Sequence, residues 1–213
     1  MSTLIIGAGG QIGRLLTRDL CQAGDEVRAM VRTPNPELQT LGAEVCISDL
    51  EQDFSHLFNG CQKVVFSAGS GAKTGADKTI LVDLWGAIKA IDYAAQAGVK
   101  HFVMISSRGA ENPDKGPAAI KHYAVCKKLA DDHLIRSQLP FTILRPGRLL
   151  NEPARGTIST TLPTDPEQQV ITRADVAAVA AFCLQNTSAQ NAIYPLVNGE
   201  QTLSDAFLSE PDN

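Results

Sequence analysis

Three glycines at a spacing of three, Gly7, Gly10 and Gly13, follow a short apolar run and open a helical pattern. A strand that turns through glycines into a helix makes an anion site. The helix begins with unpaired backbone N–H groups and a positive dipole end, and glycine lets a diphosphate approach the backbone closely. A second set lies further along. Tyr123 is followed four residues later by Lys127 in a helical stretch, so both point from one face. Upstream, Ser106-Ser107 closes an apolar run. A phenol beside an ammonium can give or take a proton at a carbonyl oxygen, because the cation favours the phenolate. A serine hydroxyl can orient that oxygen, or merely satisfy backbone at a strand end.

These groups need a scaffold. Apolar runs predict strands at 2–6, 26–31, 43–47, 63–67, 100–106 and 141–145, with a weaker one at 192–197. Helical spacing predicts helices at 11–23, 54–58, 77–97, 117–137 and 173–185. Regular alternation of strand and helix predicts an α/β protein whose doubly wound parallel sheet is covered on both faces. Ligands in such sheets bind beyond the carboxyl ends of the strands. The cofactor-side candidates are therefore Gly7, Gly9, Gly10, Gln11, Ile12 and Gly13 on the first turn, then Arg32 and Thr33, Asp49 and Leu50, Ser67, Ala68 and Gly69, and Pro146. An acid at the end of the second strand would bind a ribose 2′-hydroxyl, whereas an arginine accepts a 2′-phosphate. Here the strand ends Met30-Val31-Arg32-Thr33, with Arg14 as a second cation. This favours NADP, with NAD as the other option. Asp49 can accept from an adenine amino group or serve as a turn residue.

On these residues the chain resembles the short-chain dehydrogenase/reductase superfamily, with Gly7–Gly13 as glycine motif and Tyr123-x-x-x-Lys127 as active-site motif. It is most similar to the atypical, compact branch of nucleotide-sugar epimerase-like and flavin reductase-like proteins. The likeness includes Thr74-Gly75-Ala76-Asp77-Lys78-Thr79, Arg145-Pro146-Gly147 and Arg173-Ala174-Asp175-Val176. The resemblance implies a single Rossmann-type domain over 1–213, with 147–213 adding a small carboxyl-terminal substrate-binding portion. It implies Tyr123 as acid/base, Lys127 as its partner and as a holder of the cofactor ribose, and Ser107 or Ser106 as the orienting hydroxyl. The family tetrad has an Asn where this chain has Asp83, which can pair with Lys127 or brace its helix.

The stretch after Pro146 is short for a nucleotide-sugar domain. The expected substrate is therefore a small carbonyl, quinone or flavin-like acceptor. Segments 70–78, 108–117 and 149–161 are expected to shape its pocket, with Lys73, Lys78, Arg148 and Arg155 able to attract an acidic group. The 213 residues carry a net charge of −4, which gives no basic surface for nucleic acid. No apolar run reaches membrane-spanning length and no signal-peptide pattern is present. Five scattered cysteines without a C-x-x-C pair read as core residues in a reducing compartment, and four histidines lack metal-ligand spacing. A cytoplasmic, metal-free monomer or homodimer is expected. Two further readings stand beside the reductase: an NAD(P)-binding redox sensor or assembly factor without turnover, and a nucleotide-sugar epimerase or dehydratase.

Overall fold

A computed structural model describes residues 2–71 and 74–208; Lys73 lies outside them. The central strand β1 (Thr3–Ile6) is wholly buried. Its side chains alternate between two cores. Ile5 joins the cluster under α1 (Gln11–Gln22) and α6 (Arg173–Gln185), while Leu4 and Ile6 join the cluster under α4 (Ala87–Gln96) and α5 (Lys121–Arg136). The neighbouring strands β4 (Lys63–Phe66) and β5 (His101–Ile105) divide in the same way, with Val65 and Val103 on one face and Phe66 and Met104 on the other. Apolar residues on both faces are what a parallel sheet between two helical layers requires. In α1 the buried Ile12, Leu16 and Leu20 form one helical stripe.

The sheet also contains β2 (Val27–Val31), β3 (Glu44–Ile47), β6 (Phe141–Pro146), β8 (Ile158–Ser159) and β10 (Ala192–Asn198). Its order is β3-β2-β1-β4-β5-β6-β10-β8, parallel except for β8 on β10. This is a Rossmann-type doubly wound α/β fold. The strand order reverses at β1, and the carboxyl ends of β1 and β4 flank that crevice, where ligands bind in such folds. After Pro146 most of the chain completes this scaffold: β10 and β8 extend the sheet and α6 packs on α1. Between them lie irregular segments and a two-stranded parallel sheet of β7 (Arg148–Leu150) and β9 (Val170–Thr172).

Several elements differ from expectation. The helix expected over 77–97 runs from Ala76 to Gln96, but Thr79–Gly86 is π-helical between α3 (Ala76–Lys78) and α4. The helix expected from 117 begins at Lys121, after a 3₁₀ turn Ala118–Ile120. The stretch 54–58 forms only a 3₁₀ turn, Ser55–Phe58. A short helix α2 (Pro36–Thr40) was not anticipated, although Asn35 caps it by accepting from the Leu38 N–H at 3.3 Å and Pro36 starts it. The strands β7, β8 and β9 have two or three residues each, too few to show a periodicity.

Candidate active site

The glycine turn is a close-packed joint. Gly7 has φ +87°, and a Cβ there would lie 2.6 Å from the Ala68 nitrogen on the adjoining strand end. A Cβ on Gly13 would lie 2.3 Å from the Gly7 carbonyl oxygen. The Gly10 N–H donates to that same oxygen at 3.0 Å, and Gly10 caps α1 without a side chain. The first amides of α1 are thus left clear for an anion. This cradle fits a dinucleotide diphosphate.

Beside it a cavity of about 330 Å³ opens at the carboxyl ends of β1 to β4. Of the cofactor candidates, Gly7, Gly9, Gly10, Arg32, Thr33, Asp49, Leu50, Ser67, Ala68 and Gly69 line it. Gln11, Ile12, Gly13, Lys127 and Pro146 do not. Ile12 is buried in the core, and the Pro146 carbonyl accepts from the Arg108 N–H at 3.0 Å. Asn35 and Val82 also line the cavity and were not singled out by sequence reasoning. Ser48, which adjoins Asp49 after the third strand, and Ser70, which opens the expected pocket segment 70–78, line it as well. Arg14 reaches in from α1, with its Nε on the Gly9 carbonyl at 3.0 Å and its Nη1 3.4 Å from Glu37. Asp49 serves a turn as well, since its Oδ1 accepts from the Glu51 N–H at 2.9 Å.

The second constellation lies on the α5 side of the sheet. Tyr123 is half-buried and Lys127 fully so, with Lys127 Nζ 5.8 Å from the Tyr123 ring centre. The ammonium donates to the Ile105 carbonyl at 3.2 Å and lies 3.7 Å from Asp83 Oδ1. Burial opposes its charge. The negative charges of a Tyr123 phenolate and of the Asp83 and Asp131 carboxylates outweigh burial, and together they hold the lysine above its ordinary value. Asp83 comes from the π-helical turn and is itself buried; its Oδ2 accepts from the Ser70 N–H at 2.9 Å.

The two serines face different partners. The buried Ser106 hydroxyl donates to Asp131 Oδ2 at 2.9 Å, and Arg145 donates to the same oxygen through Nε at 3.0 Å and a terminal nitrogen at 2.9 Å. Burial pushes the Asp131 carboxyl up, against the pull of Arg145, Ser106 and Lys127. Ser107 is half-buried, and its hydroxyl donates to the Arg108 carbonyl at 3.1 Å. Sequence reasoning did not single out Asp131. Its place eight residues after Tyr123, on the same helical face, was the available sign.

A glycine cradle at the reversal point of a parallel sheet, with a cavity across four strand ends, defines a nucleotide-binding protein of Rossmann type. The chain belongs to the NAD(P)H-binding family, whose model matches residues 7–187, and is of the atypical short-chain dehydrogenase/reductase kind. It is 41% identical to the uncharacterized sugar epimerase YhfK of Bacillus subtilis, over 97% of this chain and 99% of that protein. A solved Bacillus halodurans structure, described as a candidate NAD-dependent epimerase/dehydratase, is 43% identical and superposes with a TM-score of 0.91 over 98% of this chain and 99% of the other. The oxidoreductase ylbE of Lactococcus lactis is 25% identical with a TM-score of 0.85, over 98% and 95%. Among the described residues no helix is long and apolar enough to cross a membrane.

Proposed function

We propose that the protein is an NADP-dependent oxidoreductase that reduces a small carbonyl, quinone or flavin-like acceptor. One observation carries this reading: a single carboxylate links the two halves of the site. Asp83 accepts from Ser70 in the cavity wall through one oxygen and lies 3.7 Å from Lys127 through the other. This supports a proton-transfer pair acting beside the nucleotide cavity. Arg32 is exposed at the cavity with no acid at the end of β2, and Arg14 lines the same cavity, which supports a 2′-phosphate and hence NADP over NAD.

In this mechanism the amides of the first turn of α1 hold the diphosphate, and Arg32 with Arg14 holds the 2′-phosphate. When bound, the cofactor supplies the hydride. Tyr123 gives its hydroxyl proton to the acceptor oxygen as the carbon is reduced. Lys127 remains an ammonium and steadies the phenolate left behind. Ser107, whose hydroxyl has only a local partner among the described residues, orients the acceptor oxygen, because Ser106 is engaged by Asp131. The segments on either side of β8, 151–157 and 160–169, form the substrate side. The five cysteines are free thiols, in keeping with a cytoplasmic enzyme.

The test is NADPH oxidation by the purified protein across a panel of carbonyls, quinones and flavins, with Tyr123→Phe alongside. Carbonyl reduction is expected to fall at least a hundredfold in the variant; an unchanged rate would remove the tyrosine from the mechanism. A second reading, epimerisation or dehydration of a nucleotide sugar, is favoured by what the Bacillus relatives are called. It requires nucleotide that copurifies and is not consumed, an outcome the same preparation reveals.

A further inference from the structure

Lys127 is enclosed by charge from more than one element. Asp83 approaches from the π-helical turn, and Asp131 lies one helical turn along α5 on the same face. Arg145 of β6 and Ser106 after β5 then grip Asp131. The result is a run of alternating sign, Asp83, Lys127, Asp131 and Arg145. Its first three members are at most 3% exposed in their side chains and Arg145 is 13% exposed.

We propose that Asp131 is a positioning residue for the acid/base pair: held by Arg145 and Ser106, it supplies the second negative charge that keeps Lys127 an ammonium beside Tyr123. The role assigned to the pair rests on the reductase reading above; the charge coupling does not.

A buried cation persists only with well-placed partners. Asp83 supplies one: its Oδ1 lies 3.7 Å from the ammonium with no hydrogen-bond partner among the described residues, while its other oxygen accepts from Ser70. Asp131 cannot swing away to solvent, since three donors converge on its Oδ2. Its Oδ1 has no hydrogen-bond partner among the described residues, so nothing else competes for the charge on that oxygen. The other groups around α5 are less well placed. Cys126 is buried next to Lys127 in sequence, but burial and Asp83 push its thiol up, so it stays neutral. The pairs Asp114–Lys121, Asp92–His133 and Asp132 with Lys128 and Arg136 lie at the water-exposed surface, where screening weakens them.

The test follows Lys127 directly. In protein labelled with ¹³C-lysine, its resonance is assigned by its loss in Lys127→Arg, and its titration is compared with those of the exposed lysines. In the unmodified protein Lys127 is expected to keep its proton to higher pH than they do. In Asp131→Asn it should lose the proton at lower pH than in the unmodified protein, because an attraction is gone and the Arg145 guanidinium is left unpaired. Asp131→Asn/Arg145→Gln should move back toward the original titration, and Asp131→Glu should match it. Superimposable titrations of Asp131→Asn and the unmodified protein would overturn the proposal. So would a double variant no closer to the original than the single one. If Asp131→Asn does not fold, the double variant carries the test. Replacing a buried ion pair by neutral groups is often tolerated, and Lys127 must then deprotonate at lower pH than in the unmodified protein. An acceptor panel with no NADPH turnover would count against the reductase reading and leave this titration decisive for Asp131.

Discussion

Gly13→Ala is expected to damage both the fold and the nucleotide site, whereas Gly9→Ala should damage only the site. A Cβ on Gly13 would lie 2.3 Å from the Gly7 oxygen and 2.7 Å from the Ala8 Cα, both backbone atoms that cannot turn aside. Relief requires the first turn of α1 to shift from β1 by roughly 1 Å in a close-packed interior. Overpacking of this kind costs about 1–3 kcal/mol, and the better helix propensity of alanine returns up to about 1 kcal/mol. A net loss of about 1–2 kcal/mol is expected in urea unfolding. The same shift carries the α1 amides away from the diphosphate, and a loss of about 1.4 kcal/mol there is a tenfold weaker NADPH complex. At Gly9 the nearest atom to a new Cβ is a Val31 methyl at 3.6 Å, an ordinary contact, yet Gly9 lines the cavity. Its alanine variant should unfold like the unmodified protein and still bind NADPH several-fold more weakly by fluorescence titration. A Gly13→Ala protein as stable as the original within 0.5 kcal/mol would refute the reasoning about the joint.

Arg32→Ala should weaken NADPH binding tenfold or more, from the loss of a charge-assisted contact worth about 1.5–3 kcal/mol, and change NADH binding less than twofold; equal losses would exclude the 2′-phosphate role. Asp83→Asn keeps an acceptor for the Ser70 N–H but removes a charge from Lys127. It should destabilise the protein by roughly 2 kcal/mol, less than the 3–5 kcal/mol of a fully orphaned buried ion because Asp131 remains; a neutral result in urea unfolding would show that the pair is not energetically coupled. His101 is 3% exposed, and burial, aided by Lys63, lowers its pKa from 6.5 to about 4. Between those values the unfolded chain binds more protons, so stability is present above pH 6.5 and falls as the pH drops toward 4. The loss should reach roughly 2–3 kcal/mol at pH 4.5, and His101→Asn should show a correspondingly flatter dependence across pH 4.5–7.

The sheet was legible because its strands are short apolar runs set off by glycine or polar turns, and the alternation with helices left one architecture. The glycine turn was legible for a related reason: its neighbours in space are neighbours in sequence. Arg32, Asp49 and Ser67 each end a strand, so topology alone sends them to one crevice, and they line one cavity. What stayed hidden needs either very short elements, such as β7 and β9, or a departure from α-helical spacing. The π-helical stretch Thr79–Gly86 is apolar apart from Thr79 and Asp83, with no proline or internal glycine to mark it.

That hidden departure bears on the chemistry. A π turn adds a residue to the helical repeat, which reorients the side chains beyond it relative to a regular helix. Asp83 lies within this stretch, and from it one carboxylate reaches both Ser70 and the neighbourhood of Lys127. A tyrosine and a lysine four residues apart can be read from sequence. Whether the lysine is charged when buried depends on carboxylates from a π turn and from further along α5, and on an arginine at a strand end. The sequence motif therefore specifies which groups meet, while the charge on Lys127 is supported by Asp83 and by Asp131, itself held by Arg145, none of which is part of that motif. A change at any of these three would leave the Tyr123–Lys127 signature intact and alter what it can do.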